Sequence, residues 1–350
     1  MAKLDDDNQD KGFSIAVLGA TGSVGREILS ILIERGFPIR KLIALASERS
    51  EGKIINYSDD QEIEVISLKD FNFSGIDIVL SSPGSEISKH YSPIAADAGA
   101  VVIDNTSYFR MDPLVPLVVP EVNSSDISEY RNKGIIANPN CSTIQMVVPL
   151  KPLHDHFNIR RIVVTTFQST SGAGRDAMDE LFEQTKGVYA NKNLEEMKKI
   201  FSKKIAFNVI PQIDIFMEDG STKEEWKMVS ETKKILGSSI EVHANCARVP
   251  TFIGHAEYIN IQTEKPIDPE SVRLILNEAE GVSVVDHRFQ GGYVTPEEAA
   301  GEDPVYVSRI RSDQTVENGI SFWCVADNLR KGAALNAVQI AEILIRDFLS

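Results

Sequence analysis

One segment of the chain places a cysteine where covalent chemistry is favourable. Cys141 follows Asn138-Pro139-Asn140 and opens a helical pattern that continues through Leu153. A thiol at a helix N-terminus experiences the positive end of the helix dipole and unbonded N–H groups, which favour the thiolate. The same N–H groups could stabilise the oxyanion that forms when a thiolate adds to a carbonyl. We therefore predict that Cys141 is a nucleophile, against the alternative of a buried thiol that only fills space.

The other two cysteines fit that alternative. Cys246 lies within an apolar strand pattern and Cys324 stands beside Trp323, so both are predicted to be buried apolar residues. Three cysteines leave one unpaired in any disulfide scheme, which suits a reducing compartment. The predicted location is the cytoplasm.

A thiolate nucleophile of this kind needs a neighbouring group that takes and returns protons. Of the six histidines, His255 ends the segment 247–255, which lies between two predicted strands, where loops often present functional groups. His154 and His156 form a His-x-His pair, but no carboxylate or cysteine spacing completes a metal site. His255 is the candidate acid/base, and no metal is predicted.

A glycine-rich turn near the N-terminus suits a dinucleotide. It follows a predicted strand, precedes a predicted helix and reads Gly19-Ala20-Thr21-Gly22-Ser23-Val24-Gly25. Glycines let the backbone turn sharply and approach a pyrophosphate, which then lies at the helix N-terminus. The spacing departs from the usual Gly-x-Gly-x-x-Gly, and an ordinary strand-to-helix turn is the alternative.

The residues after the second predicted strand bear on the choice of cofactor. Arg49 stands between Ser47 and Ser50 and could hold a 2′-phosphate, whereas Glu48 could bind a ribose 2′-hydroxyl instead. We favour NADP over NAD.

Two patterns of secondary structure must position these residues. Before about residue 141, short Ile- and Val-rich runs alternate with helical patterns, which predicts a doubly wound α/β arrangement; the runs are 14–18, 41–46, 63–68, 76–80 and 101–104. After it, longer helices mix with alternating strands, which predicts a second, α+β domain with a mixed sheet. Residues 333–349 have the spacing of an amphipathic helix.

The composition limits what this protein could bind. A chain of 350 residues with 42% hydrophobic content suits two domains. A net charge of −15 argues against nucleic acid or an anionic membrane as partner, so an anionic ligand must be held by a few local cations. Residues 1–11 contain an acidic run and no apolar segment, and are predicted to be a solvated tail and not a signal peptide. No stretch approaches the length of a membrane helix.

The motifs together resemble the aspartate-semialdehyde dehydrogenase family. Besides the glycine turn, the matching segments run in order to the end of the chain and are residues 140–145, 168–174, 224–227 with 231–235, Arg248 with His255 seven residues on, and 327–333. Members carry out the reversible reductive dephosphorylation of aspartyl phosphate to aspartate semialdehyde with NADPH, on the route to lysine, methionine and threonine. The resemblance therefore implies a phosphorylating aldehyde dehydrogenase that works through a cysteine thioester, with inorganic phosphate as co-substrate.

The resemblance also implies roles for individual residues. Cys141 matches the nucleophile, His255 the acid/base and Gln168 a glutamine that positions the acyl group. The matching substrate-binding residues are Arg248 for the α-carboxylate, Glu224 for the ammonium, Arg110 and Lys227 for phosphate, and Asn140. The matching cofactor-binding residues are Gly19, Thr21, Gly22, Ser23, Val24, Ser47, Arg49, Ser50, Ser171, Gly172 and Asn328.

The family organisation implies a Rossmann-type NADP domain at residues 1–140, joined by a C-terminal helix at 329–350, and a catalytic and dimerisation domain at 141–328. A homodimer is expected, with a homotetramer as the alternative.

Other interpretations stay open at this point. Lys227 and Glu224 are three residues apart on a predicted helix, where an exposed ion pair is the default, and Arg110 could be a solvated loop residue. N-acetyl-glutamyl-phosphate reductases resemble the chain in cofactor loop and cysteine chemistry, but their acylated amine would not need Glu224. A non-catalytic NADP-binding homologue is the remaining alternative, yet it would not need Cys141 and His255.

Overall fold

The computed structural model describes residues 12–58, 60–192, 197 and 199–349. The predicted acidic tail at residues 1–11 lies outside them. The chain divides into two compact units, residues 1–139 with 334–350, and residues 140–333. Relative to the predicted boundaries, Asn140 and residues 329–333 fall in the second unit.

In the first unit, the described strands form a seven-stranded sheet with the order β3-β4-β2-β1-β5-β6-β7. All neighbouring pairs are parallel except β3 with β4. The strands are β1 (Phe13–Leu18), β2 (Ile39–Ala46), β3 (Ile54–Ser58), β4 (Gln61–Ser67), β5 (Ile78–Ser81), β6 (Val101–Asp104) and β7 (Ile135–Ala137). The helices are α1 (Ser23–Glu34), α2 (Ser85–Asp97), α3 (Pro120–Asn123) and, at the end of the chain, α9 (Leu335–Asp347).

The core of this unit explains why its strands lack polar alternation. The central strands β1, after Phe13, and β5 are buried, because helices cover the sheet. Helix α9 packs its apolar face, including Leu335, Val338 and Leu344, into the same cluster as Ile28 and Leu32 of α1. The doubly wound arrangement predicted from the Ile- and Val-rich runs is confirmed.

In the second unit, the described strands form a six-stranded mixed sheet with the order β11-β12-β13-β10-β8-β9. The strands are β8 (Ile159–Gln168), β9 (Glu241–Arg248), β10 (His255–Thr263), β11 (Val282–Val284), β12 (Val305–Asp313) and β13 (Gly319–Ala326). The helices are α4 (Cys141–Phe157), α5 (Arg175–Tyr189), α6 (Lys223–Leu236), α7 (Pro269–Glu278) and α8 (Pro296–Ala299). The predicted mixed sheet is confirmed.

The alternation along β10 shows how this sheet is built. His255, Glu257 and Ile259 are fully buried on one face, over which α4 packs, while Tyr258 and Asn260 on the other face are half-buried. Such alternation is expected of a sheet with one covered face. Strand β8 pairs with β9 in parallel and with β10 in antiparallel register, so Gln168 lies beside Arg248 at one end of the sheet.

Candidate active site

The start of α4 holds the predicted nucleophile. Asn140 is its N-cap in an extended conformation, and its Oδ1 accepts hydrogen bonds from the amides of Ser142 at 3.0 Å and Thr143 at 3.3 Å. Cys141 is the first residue of the helix and is half-buried. The side chain that caps the helix thus immediately precedes the thiol, which lies at the positive end of the helix dipole.

Glu224 connects this helix start to α6. Its Oε1 accepts hydrogen bonds from Asn140 Nδ2 at 2.8 Å and Gln168 Nε2 at 3.1 Å, and its Oε2 lies 3.2 Å from Lys227 Nζ. Glu224 is buried, and burial alone would raise its pKa. The charge of Lys227, the two amide donors and Arg248 outweigh burial, so the pKa of this carboxyl is lowered and the group is ionised. The structure therefore brings Asn140, Gln168 and Glu224 together around one buried carboxylate.

Lys227 is held between two carboxylates. Its Nζ lies 2.9 Å from Asp214 Oδ2 in addition to its contact with Glu224. Burial would lower the pKa of Lys227, but the two carboxylates raise it above its ordinary value. The side chains of Lys227 and Glu224 are only 13% and 6% exposed, so this ion pair is not the exposed pair that the spacing alone suggests.

Arg248 provides a second buried charge, at the end of β9. Its Nη1 donates to the Ser169 carbonyl oxygen at 2.7 Å. Burial lowers the pKa of this guanidinium, while the Glu224 carboxylate, followed by the thiol positions Cys141 and Cys246, opposes the shift. Arg248 therefore acts electrostatically on the thiol at the start of α4, and a nearby cation favours the thiolate. A cavity of about 240 Å³ lies beside Arg248.

His255 lies against Arg248 at the start of β10. A Cβ atom added at Gly172 would lie 2.9 Å from Arg248 Nη1 and 3.0 Å from His255 Nε2, so the missing side chain leaves room for both groups. Burial, followed by the charge of Arg248, lowers the pKa of His255 to about 3, with Glu224 opposing the shift. His255 is a neutral imidazole at physiological pH.

The other ring nitrogen of His255 is bound by the turn after β8. Ser169 contacts Nδ1 with its main-chain N–H at 3.1 Å and with its Oγ at 3.0 Å. Asn328 Oδ1 lies 3.1 Å from Ser169 Oγ and 3.0 Å from Ser171 Oγ. The same Oδ1 accepts from the Gly254 amide at 2.9 Å. The predicted cofactor-binding residues Ser171, Gly172 and Asn328 thus lie around His255.

In the first unit, the glycine turn joins β1 to α1. Gly19 has a φ of +83°, and a Cβ there would lie 2.6 Å from the Ser82 carbonyl oxygen, so a side chain is excluded. Gly22 is the N-cap of α1 and offers no side-chain acceptor, which leaves the first amides of α1 available to a ligand. Thr21, Ser23 and Val24 occupy this turn and the first helical positions. The residues present therefore fit a pyrophosphate at the helix N-terminus.

The residues predicted to bind the ribose of the cofactor follow β2. Ser47 and Arg49 are exposed, and Ser50 is buried at the end of a short 3₁₀ helix, Glu48–Ser50. Glu48 pairs with Lys69 at 2.9 Å, with both side chains 63% exposed. The turn after β2 therefore presents both an exposed guanidinium and an exposed carboxylate.

Arg110 is also part of the first unit, and it is buried. Its Nε donates to the Asn138 carbonyl oxygen and its Nη2 to the Asn105 carbonyl oxygen, both at 2.9 Å. The alternative of a solvated loop arginine is therefore wrong. These bonds fix the direction of the guanidinium.

The two other cysteines and the metal-binding residue types do not form a second reactive or metal site among the described residues. Burial raises the pKa of the Cys246 and Cys324 thiols, and neither cysteine is exposed. In the part of the chain that the structure describes, no group of three or more His, Cys, Asp or Glu residues could hold a metal ion. Across the same described ranges, no helix has both the length and the apolar character needed to cross a membrane.

Three residues with a place in this site were not identified from the sequence as functional. Ser169 binds Nδ1 of His255, and Glu231 accepts the Asn140 amide at 2.6 Å through its Oε2. Glu257 is fully buried under α4, on the same face of β10 as His255. The sequence did contain a signal for Glu231 and Glu257. Glu231 follows Glu224 by seven residues, which is two turns of the same helix. Glu257 is two residues from His255 and so lies on the same face of the strand.

Comparison with known proteins agrees with this geometry. Residues 14–130 match the family described as "Semialdehyde dehydrogenase, NAD binding domain", and residues 150–331 match "Semialdehyde dehydrogenase, dimerisation domain". An aspartate-semialdehyde dehydrogenase of Aquifex aeolicus is 51% identical over 337 residues, which cover 96% of this chain and 99% of that protein. The chain belongs to the aspartate-semialdehyde dehydrogenase family. The resemblance inferred from the motifs is confirmed.

Solved structures support the same assignment. A crystal structure of aspartate semialdehyde dehydrogenase II from Vibrio cholerae, complexed with ASA, has a TM-score of 0.93 at 50% identity and covers 96% of this chain and 99% of its own. The Candida albicans family member with NADP has a TM-score of 0.73 at 27% identity and covers 95% and 98% of the two chains. Family membership supports an oxidoreductase with a nicotinamide-cofactor domain and a dimerisation domain.

Proposed function

We propose that this chain interconverts aspartate semialdehyde and aspartyl phosphate, with NADP and inorganic phosphate, through a thioester on Cys141. One observation carries the proposal: the capped start of α4 presents Cys141 within the field of the buried Arg248 guanidinium. Both the helix dipole and the guanidinium favour a thiolate there. A thiolate nucleophile splits aldehyde oxidation into two steps and conserves its energy in a thioester.

Each binding residue has a chemical task in this proposal. Arg248 offers a bidentate guanidinium to the substrate α-carboxylate, and Glu224, ionised in its buried position, accepts the substrate ammonium. Gln168 and Asn140 orient Glu224 by donating to its Oε1, and Asn140 immediately precedes the reacting thiol. Arg110 and Lys227 bind phosphate.

The ionised state of Glu224 favours a free amino acid as substrate. An acylated amine, as in N-acetyl-glutamyl phosphate, carries no positive charge and would gain no attraction from this carboxylate, whereas an ammonium group would. The proposed substrate is therefore the amino-acid aldehyde itself.

The cofactor is proposed to be NADP. The candidate binding residues are the glycine turn at Gly19 and Gly22 and Arg49 with its flanking serines in the first unit, and Ser171, Gly172 and Asn328 in the second. When bound, NADP supplies the acceptor for the aldehyde hydride. The chain's own residues do the rest in the oxidising direction. Cys141 adds to the aldehyde carbon and retains the acyl group until phosphate attacks the thioester carbon and the thiolate departs. We further propose a homodimer in the cytoplasm and a place in the biosynthesis of lysine, methionine and threonine.

The test uses purified protein with aspartate semialdehyde, NADP and phosphate, and follows the absorbance of reduced cofactor. We expect phosphate-dependent turnover that Cys141→Ser abolishes, while the matched variant Cys324→Ala retains it. Turnover without phosphate, or activity that survives Cys141→Ser, would reject the thioester route. A preference for an N-acylated substrate would reject the proposed substrate.

A further inference from the structure

Asn140, the residue before the proposed nucleophile, has a hydrogen bond at every polar atom. Its main-chain N–H donates to Glu231 Oε2 at 2.6 Å, and its Nδ2 donates to Glu224 Oε1 at 2.8 Å. Its carbonyl oxygen and its Oδ1 accept hydrogen bonds from main-chain amides in the first turn of α4. The backbone that leads into Cys141 is therefore fixed both by α6 and by its own helix.

The two carboxyl groups that bind Asn140 lie on one face of α6. Glu231 follows Glu224 by seven residues, which is two turns of the helix, and each binds a different atom of the same asparagine. Glu231 is 1% exposed and Asn140 is 6% exposed, so water has little access to the bond between them. A buried N–H that loses its acceptor is costly. The position of the Asn140 main chain therefore depends on Glu231.

A second contact confines the nucleophile itself. Gly332 lies in a π-helical turn, and a Cβ atom added to it would lie 2.8 Å from Cys141 Cβ and 3.3 Å from Cys141 Cα. The backbone of Gly332 thus packs directly on Cys141, in the space that a side chain would occupy. Cys141 has little room to move there, so the place of its thiol is set by packing as well as by the bonds of Asn140.

We propose that Glu231 is a positioning residue for the reaction at Cys141, a role that rests on the thioester chemistry proposed above. Through Asn140 it fixes the first turn of α4, and with it the distance and direction from which the thiol meets the substrate carbonyl carbon. Because that approach requires about 3–3.5 Å and a defined direction, a displacement of about 1 Å can slow the reaction about 10²-fold.

The same helix also holds the proposed ammonium site. Glu224, which is proposed to accept the substrate ammonium, donates its Oε1 lone pair to Asn140 Nδ2. One face of α6 therefore places the substrate amino group through Glu224 and the nucleophile through Glu231. Loss of Glu231 should disturb only the second of these, so substrate binding should survive a change that slows the chemistry.

Two substitutions separate the hydrogen bond from the volume of the side chain. Glu231→Gln keeps an oxygen that can accept the Asn140 N–H, whereas Glu231→Leu has a similar volume and no acceptor. We expect Glu231→Leu to lower kcat by about 10²-fold, with the KM values for aspartate semialdehyde and NADP nearly unchanged. Glu231→Gln should recover about tenfold or more of the lost rate. Equal kcat values in the two variants, or a loss confined to KM, would overturn the proposal.

Asp286→Leu is the matched control for lost stability. The Asp286 side chain is 7% exposed and likewise accepts a main-chain N–H, from Ile310 at 3.3 Å. It follows β11, which lies at the opposite edge of the sheet from β9. Both Leu variants should lower the melting temperature, but Asp286→Leu should leave kcat close to that of wild type. A similar fall in kcat in the control would show that lost stability lowers the rate, and would overturn the positioning role.

The hydrogen bond can also be observed without kinetics. Pro139-Asn140 is the only Pro-Asn step in the sequence, so full-length deuterated protein with ¹³C-carbonyl proline and ¹⁵N-asparagine gives one HNCO signal, from the Asn140 amide. A short bond to a carboxyl oxygen should move this proton to high chemical shift in the wild type, and Glu231→Gln should lower the shift. An ordinary shift in the wild type would overturn the proposal, whether or not Glu231→Leu folds. Wild-type protein without semialdehyde activity would instead reject the proposed function, and the NMR signal would still report the contact.

Discussion

Glu257 allows a quantitative test of the buried layer between β10 and α4. The residue is fully buried, and neither carboxyl oxygen has a hydrogen-bond partner within the described residues. Burial therefore raises the pKa of Glu257 well above its ordinary value, and the nearby side chains of Ser142 and Gln145 offset this only in part. We expect the native protein to hold this group as the neutral acid.

The sign of the pH dependence follows from proton binding. Above the pKa of an unfolded glutamate, ~4.3, the unfolded chain has released this proton while the native protein retains it. The native state then binds more protons, so the free energy of unfolding falls as pH rises, by about 1.4 kcal/mol per pH unit. This contribution is fully present below the unfolded pKa and is lost as pH rises through the folded one.

The substitution Glu257→Gln removes this proton and keeps the shape of the side chain. Relative to wild type, the variant should gain stability as pH rises through the interval between the unfolded and the folded pKa of this group, with a limiting slope of about 1.4 kcal/mol per pH unit. The assay is urea unfolding at fixed protein concentration across pH, followed by tryptophan fluorescence. Glu278→Gln, at an exposed position of α7, is the control and should show no such trend. A difference between Glu257→Gln and wild type that stays constant with pH would refute the reasoning, because it would mean that the native carboxyl is ionised.

Three further outcomes follow from the site. Gly172→Ala places a methyl group against Arg248 Nη1, which Ser169 holds in place, and should lower kcat/KM by about 10- to 100-fold with little change in melting temperature. Arg49→Gln should raise the KM for NADP by about tenfold or more and leave the KM for NAD nearly unchanged, as measured by steady-state kinetics; equal effects on both cofactors would exclude a 2′-phosphate contact. Asn140→Ala should destabilise the protein by about 1 kcal/mol and slow alkylation of the adjacent thiol by iodoacetamide, and an unchanged alkylation rate would show that the cap does not support the thiolate.

The features that could be predicted from the sequence are those with a local cause. The doubly wound domain follows from Ile- and Val-rich runs, and the position of Cys141 at a helix start follows from the polar loop before it and the apolar periodicity after it. The glycine turn could be placed between a strand and a helix because the residue patterns directly before and after it predict those two elements. In each case the signal for a single helix, strand or turn lies within its own stretch of sequence.

The features that could not be predicted depend on contacts between distant parts of the chain. Ser169 reaches His255 across 86 positions because β8 and β10 pair in antiparallel register. Glu231 reaches Asn140 across 91 positions because α6 packs against α4. Both contacts use a main-chain amide as donor, and any residue type except proline provides one. The residue types at Ser169 and Asn140 therefore do not predict these two hydrogen bonds.

The pair formed by Lys227 and Glu224 shows why spacing alone could not decide between a structural and a functional interpretation. Spacing of three residues on a helix predicts an exposed ion pair of little energetic value. The structure contains the pair but buries it, with Asn140 and Gln168 donating to the second oxygen of the same carboxylate. A buried carboxylate with this many donors is kept ionised, which is the state required to receive an ammonium group. The ion pair and the proposed binding role are therefore compatible, because Lys227 helps to keep Glu224 ionised and an ionised Glu224 is what binds an ammonium group.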